Sequence, residues 1–581
     1  MRKKQVLAVL LCVMMVLSLA ACGKKEEKKP AGTPNQGQEE NQGSGQEDSD
    51  QQETQDGTDV EDAAQGDTEN DTDAGQESAL GKPELPLCET KEELSFWIPW
   101  TFAYLDSIDE VKNIQELEKR TNVHINWVSP ASQEANEKFG LMLASGDYPD
   151  ILRGVNQYYP GGIEKGVEDG ILVDMTDLIN EYMPHYQAIR TSVPEVEKAT
   201  KTDAGKTPVI WTIASDDEEV SMEMVWAGLF VRKDWLDELS MDLPETIQDW
   251  HDMLKAFKDN YNCEAPLVFA ADGTFLQGEF VSAYGVLPEF YLDGNTVKYG
   301  PAEPGYRQYV ETMRDWYAEG LIDPNFPTND GTLVADNAYM ATGKSGAGCS
   351  AWGYSNDLLK TDYGMTDVEN FWLEGVPNPV LNEGDTPQTA STMCGYVKEA
   401  LAITSNCKNP ELAARWLDYF YTEEGMLLNA YGMEGETYEI LPDGTPQYTE
   451  LVTNNPDGYG MSDAFKIYTL DNSSFGLYSW ARYFHTGREA YTRSMDCQYT
   501  WNEAKTDMVI PAAVSMTDEE INAYNTAYTA IQTLVNEKTV KYIMGTEDMS
   551  TYDAFVQSLY EYGIEDCIQY KQTAYDRYLA R

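Results

Sequence analysis

Hydrophobic and polar residues divide the chain into three parts. Residues 6–19 form an almost unbroken apolar run that follows three basic residues at positions 2–4. A run of this length at the start of a chain is too short for a membrane-spanning helix and is typical of an export signal. Residues 23–87 carry almost no large apolar side chain and cannot bury enough surface to fold. We therefore expect a signal segment and a disordered acidic tether before the folded part begins at about residue 88.

The folded part opens with a strand, a helix and a second strand. Apolar residues have strand spacing in Glu93–Trp100, helical spacing in Ile108–Arg120 and alternate again in Val123–Val128. This order predicts a parallel sheet, in which ligands bind at the carboxyl ends of the strands. Trp97 and Trp100 would lie at such an end.

The pattern continues with further buried elements. Residues 134–144 have the spacing of an amphipathic helix, and residues 228–232 read as a buried strand. A helix-start signal stands at residues 244–246. Four tryptophans lie on helical apolar stripes, and we interpret them as core residues. They are Trp235, Trp250, Trp316 and Trp416.

The apolar run at the start of the chain ends in a cysteine motif. Leu19-Ala20-Ala21-Cys22-Gly23 resembles the lipobox of bacterial lipoproteins, in which the cysteine sulfur receives a diacylglycerol. The resemblance implies that residues 1–22 are a lipoprotein signal peptide and that Cys22 anchors the protein at the outer face of the cytoplasmic membrane. An ordinary signal peptide that contains a cysteine is the alternative. On flexible-linker scaling, the tether reaches about 45 Å, so the folded part can stand clear of the membrane.

The charge balance narrows the partner classes. The net charge is −58, and the tether carries only a minority of it. We expect no nucleic-acid partner, because phosphate binding needs clusters of Lys and Arg that the sequence lacks. Polyanionic sugars are disfavoured, although a local basic pocket can override a global field, and a cationic ligand stays open. We interpret the tether as a solvated spacer, with binding of a cationic partner as the alternative.

Catalytic and metal-binding motifs are scarce. Seven cysteines beyond Cys22 are scattered, with no CxxC pair, and the four histidines stand singly, without HExxH. The sequence has no GxSxG and no Walker phosphate loop. We read most cysteines as small buried hydrophobes, with one or two disulfides open, and we expect no cofactor, no metal and no enzymatic activity. A pair of carboxylates at glycosidase spacing is an open alternative, because acidic residues are abundant.

Ordered motifs along the folded part indicate a family. Five of them are residues 141–151 (LMLASGDYPDI), 170–179 (GILVDMTDLI), 228–236 (GLFVRKDWL), 316–324 (WYAEGLIDP) and 409–419 (NPELAARWLDY). In this order they resemble the motifs of family 1 extracellular solute-binding proteins, the capture subunits of ABC sugar importers. Residues 431–438 (YGMEGETY) look like a motif of the LplA-like lipoprotein subgroup of that family. The matches cover nearly the whole folded part, from about residue 94 to about residue 578.

The resemblance implies a fold. It is an α/β, two-lobed fold of the periplasmic-binding-protein type II, with a helical C-terminal extension, over residues 88–581. The expected parts are lobe one at about 88–207 and 395–480, lobe two at about 229–394, and a helical part at about 481–581 that packs over both lobes. Many relatives of the alginate-binding type carry a calcium loop at the position of residues 259–264. This segment lacks the glycine and the regular oxygen spacing of such a loop, so we predict no calcium there.

A sugar site combines aromatic faces, which stack on the C–H faces of pyranose rings, with carboxylates and amides that bind hydroxyls. By position, the ligand-binding candidates are Trp97, Trp100, Asp150, Arg153, Trp352, Tyr354, Glu434, Trp480 and Arg482. Each group has a structural alternative. The aromatic residues could pack in the core, Asp150 and Arg153 could form an ion pair, and Glu434 could cap a turn.

The sequence therefore predicts a lipid-anchored monomer that captures a carbohydrate, by resemblance an oligosaccharide, and presents it to the permease of an ABC importer. The two lobes would close over the ligand. One alternative is an extracellular carbohydrate-active enzyme, either a hydrolase or a lyase. Another is a sensing lipoprotein that feeds a membrane receptor. Peptides and polyamines stay open as ligands.

Overall fold

The computed structural model describes most of the chain from residue 83 onward. The described residues are 83–102, 104–215, 225, 227–269, 278–329, 339–340, 342–351, 371–390, 397–470, 475–479 and 489–581. All belong to one compact unit that spans residues 76–581. Their buried side chains form two sets of hydrophobic clusters. We call the corresponding parts of the described chain lobe one (residues 83–215 and 397–479) and lobe two (residues 225–390 and 489–581).

The chain alternates between the lobes. Lobe one begins with β1 Glu92–Trp97, α1 Lys112–Thr121, β2 Val123–Val128, α2 Ala135–Ser145, β3 Ile151–Arg153, α3 Val155–Tyr158, α4 Gly162–Glu168, α5 Thr176–Tyr182, α6 Pro184–Ser192, α7 Pro194–Ala199 and β4 Ile210–Ser215. Lobe two follows with β5 Ala227–Arg232, α8 Lys233–Leu239, α9 Ile247–Tyr261, β6 Phe290–Asp293, β7 Thr296–Tyr299, α10 Pro304–Glu319, β8 Ala347–Ala351 and β9 Leu373–Val376. The return to lobe one contains β10 Val397–Ile403, α11 Pro410–Asp418, α12 Glu423–Ala430, β11 Tyr438–Ile440, β12 Pro446–Tyr448, α13 Glu450–Thr453, α14 Met461–Thr469 and β13 Leu477–Ser479. The tail adds α15 Glu489–Asn502, α16 Asp518–Ile543, α17 Tyr552–Glu561 and α18 Ile564–Leu579.

Lobe one is built on a six-stranded sheet with the order β13-β4-β10-β3-β1-β2. β1 pairs in parallel with β2 and β3, whereas β10 runs antiparallel to β3 and β4. The predicted strand, helix and parallel strand are therefore confirmed as β1, α1 and β2. β1 ends at Trp97 rather than Trp100, and Pro99 just beyond it has no N–H for a strand ladder. α1 begins at Lys112, after a 3₁₀ turn at Ile108–Glu110.

Lobe two contains a three-stranded antiparallel sheet with the order β8-β5-β9. All six residues of β5 are buried, as its apolar run predicts. α9 begins with a capping box, in which Thr246 and Asp249 bond to each other's backbone N–H, so the predicted helix start is also confirmed. The four tryptophans predicted to be core residues are buried: Trp235, Trp250, Trp316 and Trp416.

The tail helices pack on lobe two. α15 lies on the three-stranded sheet, where Trp501 donates its Nε1–H to the Leu229 carbonyl at 3.2 Å. Its ring occupies the space that a side chain at Gly228 would need, since a Cβ there would lie 2.5 Å from it. α16 and α18 contribute further buried side chains to the lobe-two core. The tail thus adds a layer to lobe two, and it also reaches lobe one through the end of α18.

Candidate functional site

The parallel strands β1, β2 and β3 end at one edge of the lobe-one sheet, which we call the carboxyl edge. Trp97 is the last residue of β1 and Arg153 the last residue of β3. β10 runs in the opposite direction and pairs Leu401 with Arg153, so Glu399 lies at this edge too. The carboxyl edge is where open α/β sheets bind ligands.

Four aromatic side chains form a row at the carboxyl edge. We define this aromatic row as Trp100, Phe102, Tyr104 and Tyr459. Successive ring centroids are 6.1, 5.4 and 5.0 Å apart, and the ring planes are inclined by 56–67°. Tyr104 is 52% exposed, and the other three are half-buried. The row therefore presents aromatic surface that the described residues leave accessible.

Backbone hydrogen bonds position the row. The Trp100 N–H donates to the Pro130 carbonyl at 3.0 Å, and the Ser132 N–H donates to the Thr101 hydroxyl at 3.1 Å. These bonds tie the segment after β1 to the segment after β2. Gly458, with a φ of 80°, turns the chain just before the last ring of the row. The rings of the first segment thus stand on a loop that two neighbouring strands hold in place.

A charged pair lies at the same edge. Arg153 Nη2 is 3.7 Å from Glu399 Oε1, and the second carboxylate oxygen, Oε2, is buried without a hydrogen-bond partner in the described part. Burial raises the pKa of Tyr158, and the nearby Glu399 charge raises it further while Arg153 opposes this. Gly154 has a φ of 76°, and a Cβ there would lie 2.8 Å from the Tyr158 ring. The glycine thus lets these side chains approach each other closely.

Trp97 lies beside this pair but inside the core. It is 1% exposed, and its ring packs edge to face on Phe139 and Tyr158, with centroids 4.9 and 5.3 Å away. In this structure the ring is buried and supports Tyr158. A ligand-binding role for Trp97 stays a prediction.

Asp150 lies just before β3, at the opposite end of that strand from Arg153. Its Oδ2 accepts hydrogen bonds from the Ser95 N–H at 2.7 Å and from the Ser95 hydroxyl at 2.6 Å. These bonds tie the start of β3 to the middle of β1, so the structure gives Asp150 a role in joining two strands. Its assignment to ligand binding stays a prediction.

Glu434 lies on the turn before β11 and is exposed. Burial raises the pKa of Tyr438 to about 12, with the Glu434 charge as the next cause. In the described part of the chain, Glu434 forms no hydrogen bond or ion pair with Trp100 or Glu399. Its ligand-binding role also stays a prediction.

The remaining candidates, Trp352, Tyr354, Trp480 and Arg482, lie outside the described residues, as does the predicted lipidation site Cys22. Sequence reasoning missed five residues that the structure brings to the carboxyl edge: Phe102, Tyr104, Tyr158, Glu399 and Tyr459. Phe102 and Tyr104 continue the aromatic spacing of Trp100 at every second residue, which is a signal that could have found them. Tyr158, Glu399 and Tyr459 come from distant segments and carry no such signal.

Metal clusters and membrane spans are both missing from the described part of the chain. No three His, Cys, Asp or Glu side chains come together there as a metal site. The segment for which we predicted no calcium loop contains Asn262, which ends α9 with a φ of 51°. The helices of the described part are all too short or too polar to cross a membrane.

The chain belongs to the bacterial extracellular solute-binding protein family, whose model matches residues 107–427, more than half of the chain. It is similar to the fructooligosaccharide ABC transporter substrate-binding protein FusA of Streptococcus pneumoniae serotype 4. The two are 25% identical over 499 residues, which cover 80% of this chain and 87% of FusA. Lipoprotein LipO of Bacillus subtilis is 25% identical over 372 residues, 60% of this chain and 67% of LipO. The family resemblance inferred from the motifs is thus confirmed.

Solved structures support the same fold. An HMO-binding solute-binding protein associated with an ABC transporter, from Bifidobacterium longum infantis, superposes with a TM-score of 0.67 at 18% identity. The match covers 84% of this chain and 99% of that one. At this identity the similarity speaks for the fold alone. It confirms the two-lobed α/β fold of type II periplasmic binding proteins.

Proposed function

We propose that the protein captures an oligosaccharide outside the cell and delivers it to the permease of an ABC importer. The observation that carries this proposal is the aromatic row at the carboxyl edge of lobe one, in a chain of the solute-binding family. The name of FusA refers to fructooligosaccharide, and the similar Bifidobacterium protein is described as HMO binding. These names support a saccharide as the ligand class.

The shape of the row supports more than one sugar unit. Its four rings follow one another at 5.0–6.1 Å and change inclination at each step. Aromatic faces accept the apolar C–H faces of sugar rings, and successive tilted rings suit a ligand that turns along its length. A monosaccharide would cover only part of this surface.

The charged pair of Arg153 and Glu399 would orient the bound sugar. Glu399 Oε2 has no hydrogen-bond partner in the described part, and leaving a buried acceptor unpaired is costly. A sugar hydroxyl could donate to this oxygen if a small shift of the side chain exposes it. Arg153, 3.7 Å from Oε1, would hold the carboxylate in place by charge attraction. Specificity would then come from polar contacts and affinity from the row.

Binding would proceed without a reaction. The two hydrophobic cores are separate, so the lobes can rotate relative to each other without repacking either core. A ligand that contacts both lobes would favour the closed arrangement, and the permease would recognise that arrangement. The energy for transport would come from an ATPase on another chain.

The ligand class can be tested by thermal shift and calorimetry on the mature chain from residue 22 onward, produced without lipid. The panel contains neutral and acidic oligosaccharides, their monosaccharides, an oligopeptide and a polyamine. A ligand at 100 times its Kd raises the free energy of unfolding by about 2.7 kcal/mol, which shifts the melting midpoint measurably. We expect a shift with an oligosaccharide and a smaller one with its monosaccharide. A shift only with the peptide or the polyamine would refute the saccharide proposal.

The site itself can be tested by removing rings of the row. Trp100→Ala and Tyr104→Ala should each weaken oligosaccharide binding about two- to tenfold, as expected for the loss of one aromatic contact. Tyr560→Ala is the matched control, because Tyr560 is also an exposed ring but lies on α17 in the tail. Unchanged affinity in both row variants would move the site away from the row.

Chromatography of the glycan after incubation separates capture from catalysis. Recovery of the intact glycan is expected for a binding protein. Shortened products would favour the carbohydrate-active enzyme, with a hydrolase adding water and a lyase leaving an unsaturated end.

We further propose that the protein is anchored to the outer face of the cytoplasmic membrane by a lipid on Cys22. The lipobox-like motif and the lipoprotein name of LipO support this. In cells, Cys22→Ala should release the protein from the membrane fraction. Cys88→Ala is the control, because Cys88 lies in the folded part. Retention of the Cys22 variant on the membrane would disprove the anchor.

A further inference from the structure

The end of the tail connects the two lobes by a cluster of charged contacts. α18 belongs to lobe two, whereas Asp203 lies in lobe one between α7 and β4. The Asp203 carboxylate accepts a hydrogen bond from Arg577 Nε at 3.1 Å and another from Arg581 Nε at 2.7 Å. One lobe-one carboxylate is thus held by two lobe-two guanidinium groups. We call this contact the interlobe clasp.

Backbone contacts reinforce the clasp in both directions. Arg581 Nη1 donates to the Lys201 carbonyl of lobe one at 2.9 Å, and Lys198 Nζ donates to the Leu579 carbonyl of lobe two at 3.3 Å. The Tyr578 ring has Lys198 4.8 Å from its centroid and the Arg581 guanidinium 5.2 Å from it. The Arg581 side chain is only 4% exposed. Asp203 and Arg577 keep 32% and 27% of their side-chain surface exposed, so the contact is buried on the Arg581 side and open to solvent on the other.

The lobe-two side of the clasp is rigidly held. Arg577 donates to both oxygens of Glu520, at 2.8 and 2.7 Å, and this hydrogen bonding lowers the pKa of the Glu520 carboxyl. Glu520 also belongs to the capping box at the start of α16. Tyr578 packs with Leu292 and Val297 of β6 and β7. Contacts within lobe two thus position the side of the clasp that carries the arginines.

Asp203 lies seven residues before β4, in the part of lobe one that faces the end of α18. Its hydrogen bonds to Arg577 and Arg581 are 3.1 and 2.7 Å long. A rotation between the lobes that moves Asp203 by more than about 1 Å away from α18 would break both bonds. The clasp and such a rotation are therefore incompatible.

We propose that the interlobe clasp holds the lobes in the relative orientation seen here and must open when they rotate. Asp203 is its centre, because it is the one lobe-one carboxylate that both arginines contact in the described part. The clasp thereby sets the balance between lobe orientations before any ligand arrives. This inference is independent of the ligand class and of the aromatic row.

The test uses small-angle X-ray scattering of the mature chain without ligand. Asp203→Ala and the charge reversal Asp203→Arg remove the clasp, and we expect a changed distance distribution in both, with a larger change for the reversal. Lys206→Ala is the matched control. Lys206 is three residues away but pairs with Asp174 inside lobe one at 2.7 Å, so its variant should scatter like the unmodified protein.

A second readout follows hydrogen exchange in the two partner segments. Amides of residues 198–206 and 575–581 should exchange at least tenfold faster in Asp203→Ala, while those of β1 should not change. Arg581→Asp, which leaves the Arg577–Glu520 pair intact, should partly restore the scattering of the Asp203→Arg protein. Urea unfolding verifies that each variant is folded before it is compared. If both Asp203 variants are folded and scatter like the unmodified protein, the clasp is a packing contact and the proposal is wrong.

Discussion

The aromatic row of lobe one and the Trp501 contact of lobe two both place large rings beside strands, with opposite outcomes. Trp501 is 3% exposed, because α15 carries its ring onto β5 at a position where Gly228 has no side chain. In the row, Tyr104 follows the end of β1 and keeps half of its surface exposed. The same class of side chain is therefore buried in the core in one region and exposed to solvent in the other. The difference is whether a second element covers the strand at that point.

The two regions also differ in one buried polar atom each. Trp501 Nε1–H is satisfied inside the protein by the Leu229 carbonyl. At the carboxyl edge, Glu399 Oε2 has no protein partner in the described part. Buried polar atoms normally have partners. Gln498 of α15 also has buried amide atoms without a partner in the described part, so the exposure of the rings, and not the unpaired oxygen, separates the two regions. Four substitutions test this division, in order of decreasing effect on stability.

Trp501→Ala should have the largest effect. It removes a buried ring and leaves the Leu229 carbonyl without its partner, so we expect a loss of about 3–5 kcal/mol in the free energy of unfolding. Urea denaturation measures this loss. Tyr499→Ala on the same helix is the control, because Tyr499 is 56% exposed and its removal should cost less than about 0.5 kcal/mol. Equal losses for the two would mean that α15 does not pack as described.

Gly228→Ala should cost less, about 1–3 kcal/mol, because its new methyl group collides with the Trp501 ring. The cost should depend on that ring. In a double-mutant cycle with Trp501→Ala, the effect of Gly228→Ala should fall by at least half. Simple additivity of the two substitutions would contradict the contact.

Trp100→Ala should cost about 1–2 kcal/mol, since the half-buried ring packs partly against the lobe-one core. The same variant should lose oligosaccharide affinity, whereas Trp501→Ala, compared at a temperature where it is folded, should bind with less change. Calorimetry and urea denaturation of both variants measure the two effects. A loss of stability as large as that of Trp501→Ala would place Trp100 in the core.

Tyr104→Ala should have the smallest effect on folding, within about 0.5 kcal/mol, because its ring is largely exposed. Its effect on ligand affinity should exceed its effect on stability. An effect on affinity that is larger than the effect on stability is therefore expected for a binding surface and not for a packed core. A clear drop in the melting midpoint without any change in affinity would assign Tyr104 to packing.

Local patterns determined much of this protein. The apolar spacing of residues 93–128 predicted β1, α1 and β2, and the continuous apolar run at residues 228–232 predicted the buried strand β5. The ordered motifs of the folded part were enough to indicate the family. Strand and helix patterns depend on neighbours in sequence, because their periodicity arises from backbone geometry over a few residues.

Tertiary structure decided most of the composition of the candidate site. Trp97 and Trp100 stand only three residues apart at the end of one apolar run. The Trp97 ring is buried because it packs on Phe139 and Tyr158, whereas the Trp100 ring is only half-buried. Glu399 and Tyr459 lie on the part of the chain that returns to lobe one after β9. They reach the carboxyl edge only when the chain has folded. Local periodicity carries no information about which of these distant segments will meet at an edge.

The same holds for the tail and for the clasp. The sequence predicts a helical tail, but only the fold shows that Gly228 makes room for Trp501 and that Arg577 and Arg581 meet Asp203. Close packing and paired charges depend on the three-dimensional arrangement of both partners, and either partner alone has many compatible neighbours. The sequence therefore determined the elements and the family, and the tertiary structure decided which side chains cover one another and which stay exposed.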